Sequence, residues 1–252
     1  MPEFAKDVTA EIQYLANDRD LAVYIASAAG GEVEPHQGNY ILQPVVIHDG
    51  RRKPRACTLD REGFVFMESS SAVTDFYDED QITRIYYPEI IELIKSTTGA
   101  TQVEIFDHTR RATSDALRKE KILREPANII HNDYTAKSGV RRLKDHLDAN
   151  PALDRDLINR DFAIINIWRS IAGRVENYPL AMCDADSVAP GDLVSVTRQA
   201  RDRLGEIQLA VYNDRHHWTY FPNMEQDEVL LFKTFDARDD GRARFTIHTS
   251  FD

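Results

Sequence analysis

In the run Asn128-Ile129-Ile130-His131-Asn132-Asp133-Tyr134, an imidazole and a carboxylate stand two positions apart behind a pair of isoleucines. Successive side chains of an extended strand alternate between its faces, so His131 and Asp133 would project the same way and could hold one metal ion together. A third ligand from a distant strand would complete a facial set of two histidines and one carboxylate. Such a set leaves positions open on non-haem iron for a co-substrate and dioxygen. His248, in Arg244-Phe245-Thr246-Ile247-His248, is the best candidate for that ligand. His216 and His217, beside Trp218, are the alternative, because each strand face receives one of the two. The H-x-D spacing is common by chance, so the rest of the chain must carry the assignment.

Ligands so far apart in sequence need a β scaffold to bring them together, and the apolar patterning supplies one. Short apolar runs bounded by turn chemistry occur at Tyr40 to Ile47 (ending at Asp49-Gly50), Phe64 to Met67 (after Arg61-Glu62-Gly63) and Val103 to Phe106. They recur at Phe162 to Trp168, Leu180 to Cys183, Ile207 to Tyr212, Trp218 to Phe221, Val229 to Phe232 and Ala243 to Ile247. This pattern predicts a barrel or sandwich whose mouth would hold the ligand pocket. The chain opens as helix before its first strands. Ile82, Ile85, Tyr86, Ile90, Leu93 and Ile94 suit a helical face, with Pro88 at a start or kink and Gly99 as the stop. A second helix is expected from about Val140 to Leu147, and the charged stretch from Arg110 to Glu125 reads as an exposed helix or loop placed to act as a lid.

Composition removes several classes. A formal net charge of -11 over 252 residues argues against nucleic acid or an anionic membrane as partner. No run is apolar enough to span a bilayer, and the start Met1-Pro2-Glu3-Phe4-Ala5-Lys6-Asp7 lacks the apolar core of a secretory signal, so a cytoplasmic location is expected. The two cysteines, Cys57 and Cys183, form no C-x-x-C pair and are expected to pack as small apolar side chains. Neither a G-x-S-x-G elbow nor a glycine-rich phosphate loop occurs, which leaves hydrolase and nucleotide chemistry without support. No heptad or apolar stripe announces an oligomer.

A family likeness runs through nearly the whole chain. Gly63-Phe64, Asp75-Phe76-Tyr77-Asp78, Tyr87-Pro88-Glu89, Phe106-Asp107-His108-Thr109-Arg110, His131-Asn132-Asp133-Tyr134, Asn166-Ile167-Trp168-Arg169, Cys183-Asp184, Asp227 to Lys233 and His248-Thr249-Ser250-Phe251 follow one another in this order. In these the chain resembles the fungal and actinobacterial hydroxylase/desaturase family that includes the gibberellin desaturase and the cephalosporin 7-alpha hydroxylase component. The resemblance implies a mainly β fold with flanking helices around a double-stranded β-helix (jelly-roll, cupin-like) core. It implies a single domain over residues 1–252, with an α/β portion of about 1–100 packed on a core of about 101–252.

It further implies Fe(II), 2-oxoglutarate and dioxygen, and hydroxylation or desaturation of a small secondary metabolite. His131, Asp133 and His248 would be the metal ligands. Relatives carry an arginine strand after the His-x-x-Phe segment to hold the co-substrate. The sequence given stops at Asp252, so either that strand lies beyond it or another arginine serves, with Arg169 slightly ahead of Arg244, which shares strand parity with His248. His108, His216 and Trp218 are candidate substrate contacts. The competing class is a non-oxidative cupin-like protein, a metal-dependent isomerase or a ligand binder, since the same donors suit other divalent ions.

Overall fold

The computed structural model describes residues 6–18, 22–200 and 203–252. Val8, Ala10, Ile12 and Tyr14 alternate with polar residues, and that period of two makes the opening segment a strand rather than the expected helix, at least from Val8 onward. Twelve strands follow in chain order among the described residues: β1 (Val8–Leu15), β2 (Val23–Ile25), β3 (Tyr40–Asp49), β4 (Phe64–Glu68), β5 (His131–Asn132), β6 (Ala163–Trp168), β7 (Leu180–Cys183), β8 (Leu193–Ala200), β9 (Arg203–Ala210), β10 (Trp218–Tyr220), β11 (Glu228–Asp236) and β12 (His248–Ser250).

Nine of them form one mixed sheet in the order β1-β3-β10-β7-β12-β5-β9-β8-β2, and the other three form a second sheet, β4-β11-β6. The large sheet curls. Bridges Gln13 to Ile129 and Leu15 to Val211 bring the edge strand β1 back against the ends of β5 and β9. The result is the jelly-roll that the family likeness implied, mostly β with few helices.

Strand β11 explains how the two sheets meet. Its Val-Leu-Leu-Phe run is buried on both faces, as a continuous apolar stretch requires. Leu230 and Phe232 pack with Phe64 and Met182 between the sheets, while Val229 and Leu231 pack with Ile90 and Ile94 of a covering helix. That helix begins as α1 (Glu79–Gln81), capped by Asp78, passes through one π turn at Ile82–Tyr86 and continues as α2 (Tyr87–Thr98). The π turn is where Pro88 enters. A proline ring cannot sit in regular α geometry over the carbonyl four residues back, and the wider turn relieves the clash. Gly99 ends α2 in the left-handed region at φ 72°.

Two further helices flank the core. The charged stretch holds α3 (Asp115–Lys121), capped by Ser114. The helix expected over 140–147 is longer, α4 (Ala136–Ala149), because Thr135 and Ser138 form a reciprocal capping box just after the H-x-D motif. Its Gly139 lies so close to β11 that a Cβ there would meet the Phe235 ring at 2.5 Å.

Two expected strands differ. Val103 to Phe106 joins no sheet; Val103 and Ile105 pack instead on the cluster around α2. The expected strand at Ala243 to Ile247 is unpaired, and pairing begins only at His248. Cys57 and Cys183 are buried and unbridged, and burial pushes their thiols up to about 11 and about 12. Among the described residues no helix is long and apolar enough to cross a membrane.

Candidate metal centre

His131 and His248 face each other as direct partners in the antiparallel pairing of β5 with β12. Their ring centroids are 4.4 Å apart. Asp133 lies one residue beyond the end of β5 yet keeps the parity of His131, and its Oδ1 is 3.6 Å from His131 Nε2. One ligand atom from each of His131, Asp133 and His248 lies within 4.8 Å of the others.

The orientation of both rings is set by the backbone. Nδ1 of His131 is 2.8 Å from the Ile129 carbonyl, and Nδ1 of His248 is 3.1 Å from the Thr246 carbonyl. A carbonyl can only accept, so each Nδ1 carries the proton and each Nε2 presents a free lone pair toward Asp133. Burial and the neighbouring His131 push His248 down to about 4 against the pull of Asp133, which keeps it neutral and able to ligate near neutral pH. Burial raises Asp133, but the polar imidazoles of His131 and His248 beside it and the hydrogen bond from the Asn166 amide outweigh it and hold the carboxyl well below its usual range. Asn166 Nδ2 donates to Asp133 Oδ2 at 2.6 Å, leaving Oδ1 to face the imidazoles. Two neutral nitrogens and one carboxylate oxygen fit a divalent first-row ion.

Asn132, between the two motif residues, points the other way into the interior and is fully buried. Its amide nitrogen lies near the carbonyls of Tyr134 (2.6 Å) and Thr234 (3.1 Å) and Gln208 Oε1 (3.0 Å), and its oxygen accepts from Thr246 N at 3.3 Å. It ties β5 to β9, to β11 and to the segment leading into β12. Gly63 supports that segment from outside the site. At φ +87° and with Thr246 Oγ1 only 2.2 Å from where its Cβ would be, the position admits glycine alone.

The three converging residues open onto a cavity of about 1470 Å³. Phe232 closes one side, its ring 4.6 Å from that of His248, and Tyr24 lies 5.7 Å from His131. His108 also lines the cavity, with Nδ1 2.6 Å from the Tyr87 hydroxyl and Nε2 3.3 Å from Glu79. Arg169 lines it too, but its terminal nitrogens donate to the carbonyls of Gln226 (3.2 Å) and Ser69 (2.9 Å), which makes it a strut between two loops.

Four residues expected at the site stand elsewhere. Arg244 pairs with Asp239 at 3.0 Å and donates to the Asp236 carbonyl, because it precedes β12 and shares no ladder with His248. Trp218 is wholly buried in the core against Tyr14, to whose hydroxyl its indole nitrogen donates at 2.9 Å. His216 stacks on the same tyrosine and reaches Asp192 at 3.2 Å, and His217 pairs with Asp184 at 3.1 Å, so neither joins His131. Asn132 and Asn166 are the positions that sequence reasoning passed over. The signal at Asn166 is an amide standing alone among aliphatic strand residues, and that at Asn132 is its opposite parity to His131 and Asp133, which turns it into the interior.

A family model described as "Oxidoreductase/YMDC permease-like domain" matches residues 12–252. The hydroxylase/desaturase efuI of Hormonema carpetanum is 31% identical, over 97% of this chain and 91% of its own length. The alpha-ketoglutarate-dependent dioxygenase phiK of a fungal species is 32% identical, over 97% of this chain and 88% of its own. Among solved structures, the iron and alpha-ketoglutarate-dependent endoperoxidase NvfI has the same fold, with a TM-score of 0.81 at 22% identity over 98% of this chain and 90% of that one.

Proposed function

This chain belongs to that oxidoreductase family, whose named members include hydroxylase/desaturases and Fe(II)/2-oxoglutarate-dependent dioxygenases, and we propose that His131, Asp133 and His248 are its iron ligands. The chain is an Fe(II)- and 2-oxoglutarate-dependent oxygenase acting on a small molecule with dioxygen. The observation that carries the ligand assignment is the convergence of the three donors within 4.8 Å, both rings turned by backbone carbonyls so that Nε2 faces Asp133.

When bound, iron and 2-oxoglutarate supply the oxidising power, the co-substrate leaving as succinate and carbon dioxide. The chain's own residues supply geometry. His131 and His248 offer uncharged nitrogens, Asn166 leaves Asp133 one free oxygen, and Phe232 keeps water from one side of His248. Whether a secondary-metabolite substrate is hydroxylated or desaturated follows from which of its carbons the cavity holds beside the ligands. For the distal carboxylate of the co-substrate, Arg111 joins Arg169 as a candidate: both line the cavity, and Arg111 donates one terminal nitrogen to the Glu125 carbonyl at 2.6 Å. A single oxygenase domain over residues 1–252 and a cytoplasmic location complete the proposal. The names of the relatives do not favour a non-oxidative isomerase or binding protein.

Anaerobic addition of Fe(II) and 2-oxoglutarate to the purified protein is expected to give a weak visible charge-transfer band. His131→Ala and Asp133→Ala should abolish the band and succinate formation while the circular dichroism spectrum is retained. A band of unchanged intensity in either variant removes that residue from the ligand set.

A further inference from the structure

Two residues of helix α4 that line the cavity, Arg142 and His146, each carry a buried nitrogen with no hydrogen-bond partner among the described residues, Nε and Nε2 respectively. The two residues are four apart and therefore share one helix face. Both rest on one aromatic ring: the Arg142 guanidinium lies 4.1 Å from the Phe106 centroid and the His146 ring 6.3 Å from it. The cation–π contact fixes the guanidinium plane without using its donors. The Asn150 amide nitrogen is 3.4 Å from His146 Nδ1, so the neutral ring carries its proton on Nε2, and that orphan atom is a donor. Native structures rarely leave buried donors unmatched, and two on one face mark the place of a missing acceptor.

The surroundings specify the acceptor. Leu143, Leu147, Leu157 and Phe162 line the same cavity and provide hydrocarbon walls beside the two donors. At 1.5 Å of rise per residue, Arg142 stands roughly 10 Å along α4 from Thr135, the cap that follows the H-x-D motif, and His146 roughly 16 Å. We infer that the Arg142–His146 face recognises a carboxylate or comparable oxyanion borne by the substrate, separated by an apolar body from the carbon placed at the metal centre. The inference takes the oxygenase reading as its setting and names the substrate class: an elongated organic acid whose charged end is bound far from the oxidised carbon. Such an anchor also sets which carbon reaches the centre, because it fixes the distance measured from the charged end.

The test uses metal-free protein, so that its outcome is independent of iron loading. Titration calorimetry with dodecanoate and with dodecanol, a probe pair differing in the charged end, is expected to show the acid bound about tenfold more tightly or better. Arg142→Gln should remove that preference, and His146→Phe, which keeps the packing on Phe106, should weaken it. Equal affinities for acid and alcohol in the wild-type protein would overturn the inference, and this comparison stands alone if a variant fails to fold. Undiminished preference in folded Arg142→Gln would overturn it as well. So would a matching loss of 2-oxoglutarate affinity in that variant, read from the anaerobic band, because the arginine would then serve the co-substrate. Absence of the band in the wild-type protein would count against the oxygenase reading and leave the dodecanoate result standing.

Discussion

Asn166 decides which oxygen of Asp133 is offered to the imidazoles, since its amide occupies Oδ2 at 2.6 Å. Partners that orient a ligand are worth about 10- to 100-fold in metal affinity, so Asn166→Leu is expected to weaken Fe(II) binding by that factor at unchanged melting temperature. Competition with a chelating dye measures it; unchanged affinity would mean that Asp133 is held by its strand end alone. At this scale the convergence of His131, Asp133 and His248 was legible from side-chain parity and from the family likeness. The placement of Arg244 was not. Parity carries an orientation along a strand only while the ladder continues, and here pairing starts at His248, four residues too late to orient that arginine. Trp218 was misread for a different reason: a large aromatic beside a histidine suits a pocket and a core equally well, and only the pairing of β10 with β3 and β7 decides for the core.

Among the elements, β5 is the shortest and the most consequential. Two residues cannot hold a register by backbone bonds alone, and the buried Asn132 amide adds the missing connections to β9, β11 and the approach to β12. Replacing it with alanine strands several buried groups at once. Asn132→Ala is expected to lower unfolding free energy by about 2 to 4 kcal/mol in urea titrations, with iron affinity falling in parallel. A loss below about 0.5 kcal/mol would show that water replaces the amide. The elements themselves were legible where apolar runs were long. β1 was missed because its alternation begins among charged residues, and Val103 to Phe106 was overcalled because an apolar run can cover a helix as well as join a sheet. The π turn before Pro88 has no sequence pattern of its own beyond the proline.

Across the molecule, buried carboxylates hold the sheets to their loops. Asp184 takes Lys53 at 2.8 Å and His217 at 3.1 Å, Asp192 takes His216 at 3.2 Å and the Asn213 amide, and Asp236 takes Arg238 at 3.0 Å and the fully buried Lys233 at 2.8 Å. Burial raises all three carboxyls, but these partners more than compensate and leave each below its ordinary value. In the unfolded chain an aspartate titrates near pH ~3.9. On acidification the unfolded state therefore binds protons first, so the stabilisation is complete above about pH 4 and is lost as pH falls through the lower folded values. Melting temperature is expected to fall steeply below about pH 4. Asp184→Asn should start lower and fall less steeply, and parallel curves would remove Asp184 from the acid response. A barrel or sandwich was readable from the many short apolar runs and its jelly-roll form from the family likeness, whereas this ion-pair framework was not, because its partners lie far apart in the chain.

The pairing of β12 with β5 rests on one register match, His131 with His248. An ion shared by those two side chains would sit across the seam like a rivet, fastening the wall at the spot where the backbone fastens it least. Loading the metal would then brace the closed wall as well as arm the chemistry, and copies short of it, though folded, would be idle and less firmly held at that seam.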